Sequence, residues 1–156
     1  MSEQNPFTGS DAYRLGETAG EHPVQTTADA RDAALALARQ AVLSLRIFTR
    51  HLDAQLFSNP DFRGAVSDLA RRGPRTEIRI LVQDPTPAIR RHHELIDLVQ
   101  DLSSHIGARR VAPDWEDEIF AFLLADEHGL LWRPYGDRFE GMVDFAAGPR
   151  GRELRK

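Results

Sequence analysis

The chain has 156 residues, a size suited to one domain able to bury a core without disulfides or structural metal. It has no cysteine, which excludes a disulfide framework, a Cys-ligated zinc and a thiol nucleophile and fits a reducing cytoplasm. Of its 20 basic residues all but Lys156 are arginine, and the net charge is -4, so nucleic acid is not the expected partner on electrostatic grounds.

No basic segment followed by an apolar run opens the chain, and no run is long enough to span a bilayer, so the expected location is cytoplasmic with no membrane span. Residues 1–25 are polar and without period, and read as a disordered N-terminal lead. A domain is expected over 26–147, with 148–156 as a basic tail.

Thr26 or Thr27 offers an N-cap, and Ala30, Ala33, Ala34, Leu37, Ala38 and Ala41 follow with helical spacing. Their small side chains suit close packing on a sheet. Val42 to Thr49 alternates and is rich in β-branched and aromatic residues, as a strand requires. Asn59-Pro60 starts a helix with Phe62, Ala65, Val66, Leu69 and Ala70 inward, and Gly73-Pro74 stops it. Glu77 to Val82 is a second strand. Thr86-Pro87 opens a third helix, drawn to about Ile106 with Ile89, Ile96, Val99 and Leu102 inward and Gly107 as its C-cap. A short strand at Arg109 to Ala112 and an acidic loop at Asp114 to Glu118 follow. The apolar run from Asp117 to Pro134 turns at Glu127-His128-Gly129 and returns, a hairpin at the centre of the sheet, and Phe139 to Phe145 is the last strand. Strands alternating with helices, then strands in succession, imply a single α/β layered domain with a mixed β-sheet flanked by helices.

This order of elements resembles a phospholipase D-like domain. The strand IFTRHLD leads to the helix DFRGAVSDLARRG, whose end is similar to the family's Leu-Ala-Arg-Arg-Gly pattern, and EIRILVQD looks like its second strand. The family signature sets a histidine, a lysine two positions on and an aspartate five positions later. Counted back from Asp126, those positions hold Ala121 for the lysine and Ile119 for the histidine. The resemblance therefore implies a degenerate domain with no catalytic residues of the family and no cofactor, since an apolar side chain neither attacks phosphorus nor stabilises charge. A single motif copy implies a homodimer, and the first expected function is a non-catalytic interaction, regulatory or accessory module. An exposed Trp132-Arg133-Pro134-Tyr135 corner is its expected contact surface for a protein partner.

Two alternatives stay open. Ligands in open α/β sheets collect at the carboxyl ends of strands. There Arg50, Arg90, Arg91, His93 and Arg133 would hold a phosphate-bearing ligand or nucleic acid, with Thr49, Asp53, Asp84 and Asp126 around them. The other alternative is an enzyme with relocated chemistry at His93, Asp84 and Asp126. No metal site is expected: His92 and His93 point about 100° apart on a helix, and His93 with Asp97 has no third ligand in spacing. His92, in register with Ile96 and Val99, is expected to be the partly buried, hydrogen-bonded histidine.

Overall fold

Alternating apolar positions assemble one seven-stranded mixed sheet in the computed structural model, which describes residues 13–148. In chain order the elements are β1 (His22–Val24), α1 (Thr27–Gln40), β2 (Ser44–Thr49), α2 (Ala54–Phe57), α3 (Pro60–Ala70), β3 (Glu77–Val82), α4 (Thr86–Arg90), α5 (Glu94–Asp101) and β4 (Ile106–Arg110). A turn of 3-10 helix (Pro113–Trp115) precedes β5 (Ala121–Ala125), β6 (Gly129–Arg133) and β7 (Gly141–Asp144). The strands lie in the order β1-β7-β6-β5-β2-β3-β4. β2, β3 and β4 run parallel, β5 is antiparallel to β2, and β5 through β7 to β1 continue antiparallel.

Period-two alternation decides which side the helices cover. Leu45 and Ile47 of β2, Ile78 and Ile80 of β3, Leu123 of β5 and Leu131 of β6 join the helices in one core. The alanine face of α1 lies close on the sheet, as its small side chains predict. A Cβ at Gly129 would come within 2.5 Å of Leu37 on α1, so glycine is what permits this approach. Gly141 is tighter still: a Cβ there would collide with the Trp132 carbonyl of the neighbouring strand.

Local signals placed α1 and α3 well. Thr26 caps α1 by accepting from the Asp29 amide, and Asn59 caps α3 by accepting from the Phe62 amide. Other expectations need correction. The long third helix is two short ones, because the chain passes through a left-handed residue, His92 (φ 51°), between α4 and α5. Ile106 and Gly107 belong to strand β4, paired with Ile78 and Arg79, and Gly107 caps no helix. Val42 and Leu43 stay exposed ahead of β2.

The lead without period is built in from residue 13 onward. Tyr13 packs edge-on against His22, Gly16 N donates to the Phe145 carbonyl, and Gln40 both accepts from the Leu15 amide and donates to the Tyr13 carbonyl. Its order comes from pairing with β7 and from this glutamine, neither of which leaves a periodic trace. The earlier part of the lead and the basic tail from Pro149 onward lie outside the described residues.

Candidate functional site

The residues expected to bind an anion divide into groups. Arg133 ends β6 on the helix side and is only 2% exposed, so the expected exposed corner is half missing. Its Nη1 donates to Asp53 Oδ2 (2.9 Å), Nε to the Arg138 carbonyl (2.8 Å) and Nη2 to the Gly136 carbonyl (3.0 Å), while the Phe139 ring lies 5.3 Å from the guanidinium. Arg133 is thus an internal clamp whose fork is engaged by the protein itself.

Expectation is reversed at the histidine pair. His92 is exposed, and His93 is buried at the start of α5, where Nδ1 accepts from the Leu95 amide (3.1 Å) as a side-chain cap. Burial holds the His93 ring below the usual histidine range, against the Leu52 carbonyl and the carboxylates of Asp53 and Asp97, which favour the proton. Thr49, fully buried, accepts from the Leu52 amide. A cavity of about 440 Å³ at this end of the sheet is lined by Asp53, Arg91 and His93 together with His51, Ser58 and Phe139. Arg50 and Arg90 are exposed and outside its lining. Asp84, at the surface, accepts from the Thr86 amide, which is the main reason its carboxyl sits below the usual range, and it pairs with His51 at 3.4 Å.

Asp126 does not belong to this pocket. Its carboxylate accepts from the amides of Val42, Leu43 and Ser44 at 2.8–2.9 Å, at the opposite end of β2. Six strand residues, on the order of 17–20 Å, separate it from the cavity. The proposed convergence of His93, Asp84 and Asp126 in one reactive centre therefore fails on geometry.

Sequence reasoning missed the sheet's other face. None of the described helices joins the core from that side, and strand register lines up two rows of side chains across it. One row runs Arg109, Leu81, Phe48, Phe122, Trp132 and Met142, and the next holds Arg79, Arg46, Leu124 and Leu130. The rings of Phe48 and Phe122 stack at 5.7 Å, Phe120 stacks on Trp132 at 4.9 Å, and Trp115 meets Phe48 edge-on. Gln83 holds the loop that carries Trp115, its Nε2 donating to the carbonyls of Trp115 and Glu118 at 2.9 and 2.7 Å. Between β2, β3 and β4 lies a groove of about 450 Å³ with Arg46, Arg79 and Arg109 on an apolar floor of Phe48, Leu81 and Phe122. Glu77 sits at its end, paired with Arg79 and, at 3.9 Å, with Arg46. The signal for this face was in the sequence: SLRIFT and EIRILV both put arginine and a large apolar residue on the positions that alternate with the core.

Fold and surfaces together define a two-layer α/β domain with helices on one face and an arginine- and aromatic-bearing sheet surface on the other. Residues 26–156 match the family model described as Domain of unknown function (DUF7931), and the chain belongs to that family. None of the curated proteins matches it in sequence. In fold it is similar to TrmBL2, an archaeal chromatin protein whose structure is described as showing a novel mode of DNA binding, with a TM-score of 0.61 at 12% identity. That similarity covers 93% of this chain and 49% of the other, so this chain spans about half of that protein's length.

These findings correct the phospholipase D-like reading. The family model is described only as a domain of unknown function and the fold neighbour as a chromatin protein, so neither gives a phospholipase D-like identity, and the motif count ran onto a hairpin whose Asp126 serves backbone amides. The degenerate-site interpretation of Ile119 and Ala121, and the homodimer it implied, lose their basis. The expectation against nucleic acid is corrected as well, since a protein of this fold binds DNA. Whole-chain charge also averages over the surface: three arginines share one groove in a chain of net charge -4. Among the described residues, no helix is long and apolar enough to cross a membrane.

Proposed function

We propose that this domain binds nucleic acid on the sheet face opposite the α-helices, with phosphates against Arg46, Arg79 and Arg109 and unpaired bases over Leu81 and Phe122, beside the buried Phe48. The carrying observation is the groove that combines these six side chains. Guanidinium groups contact phosphate oxygens bidentately, and an apolar aromatic floor takes any base by its face, so the arrangement suits a single strand better than a stacked duplex. DNA binding by a protein of similar fold supports the reading. A cytoplasmic location belongs to the same proposal and is supported by the absence of cysteine.

Fluorescence anisotropy with a labelled single-stranded oligonucleotide at low salt tests it. Arg46→Gln with Arg79→Gln and Arg109→Gln is expected to weaken binding at least tenfold, whereas Arg39→Gln with Arg72→Gln, away from the groove, should leave it unchanged. Equal affinity in both sets, or no binding by the unaltered chain, would overturn the proposal. A duplex that binds as tightly as the single strand would remove the stacking part.

A further inference from the structure

We infer that the cavity at the carboxyl end of β2 is a second, separate site, for a small ligand carrying an oxyanion group, phosphoryl or carboxylate, held by His93 and Arg91. Three observations converge there. The first is a fixed proton: because His93 Nδ1 accepts from the Leu95 amide, the neutral ring must carry its hydrogen on Nε2. That donor is buried and makes no geometric hydrogen bond among the described residues, the Leu52 carbonyl nearby only favouring a proton on the ring. A buried donor of this kind calls for an acceptor, and an oxyanion supplies one.

The second is backbone strain. Four residues other than glycine adopt positive φ among the described residues, and Asp126 and Glu127 do so in the tight β5–β6 turn, where it is ordinary. The other two are Leu52 (φ 58°), which lines the cavity, and His92 (φ 51°), placed between its lining residues Arg91 and His93. Neither is in a hairpin, and a buried leucine in this conformation is costly, as is common where backbone is held for a ligand. The third is charge. Asp53, the carboxylate in the wall, is neutralised by Arg133 at 2.9 Å, which leaves Arg91, an exposed side chain on the same lining, to give the cavity a positive balance.

The full chain, labelled with 15N, tests this by titration with inorganic phosphate and with acetate at constant ionic strength, following the His93 ring nitrogens and the Leu95 amide. Saturable shifts are expected in the unaltered chain. They should weaken at least tenfold in Arg91→Gln, a surface change that leaves folding intact, and vanish in His93→Asn, whose side chain can still cap α5 but has no Nε2. A response to phosphate alone assigns a phosphoryl ligand, to acetate alone a carboxylate, and to both the oxyanion in general. Shifts that do not saturate, or that persist at full strength in Arg91→Gln, would overturn the site. Arg46→Gln with Arg79→Gln should leave these titrations unchanged, so this site and the sheet-face proposal stand or fall separately.

Discussion

Arg133 shows how residue type alone misleads. Arginine at a strand end reads as an anion binder, yet its guanidinium is spent on Asp53, 80 residues away in sequence, and on two carbonyls of the turn that follows β6. No spacing rule can find a partner brought close only by the fold, so this part of the site was illegible. Asp126 is the converse case, a carboxylate read as functional that tidies the start of β2. Removing one member of a buried ion pair leaves the other without compensation. Arg133→Met is therefore expected to destabilise the fold by about 3–5 kcal/mol, read as a fall in the urea midpoint with little change in slope. A loss below about 1 kcal/mol would show that the clamp contributes no more than a surface pair.

The signals that succeeded at the scale of elements were local ones. Asn59-Pro60 and Gly73-Pro74 bracket α3, and the alternation of β3 was readable to its ends. The misreading came where apolar spacing ran on through a break made without proline or glycine, at His92, and where an edge strand carried a glycine that imitates a helix stop. The histidine cap of α5 has a consequence in pH. Burial lowers the His93 pKa, so as pH falls below about 6.5 the unfolded chain gains a proton that the folded chain refuses. The contribution of this group is complete above that pH and is lost as pH falls toward the lowered folded value. Urea melts at pH 5 and pH 7.5 should show a drop at the lower pH that is smaller in His93→Asn; an equal drop in both would assign it to other groups.

The whole molecule is a sheet with unequal faces. One is sealed by helices and holds the core, and the other presents the arginine groove, so a chain with an overall negative charge still gathers three arginines in one place. Three phosphate contacts on a single strand predict a slope of log affinity against log salt of about -2, measured by anisotropy across a salt series. A slope near zero would mean that the arginines meet no phosphate. The mixed strand order also governs when the sheet can be finished. Among the described strands β1 pairs only with β7, more than a hundred residues later in the chain, so the earliest of them to leave the ribosome must wait for the latest. At roughly 5–20 residues per second that interval is on the order of ten seconds, far longer than a hairpin needs to close. During synthesis β7 keeps an open edge until it captures a segment made long before, and the race between that capture and pairing with a neighbouring nascent chain sets the yield of correctly closed sheet.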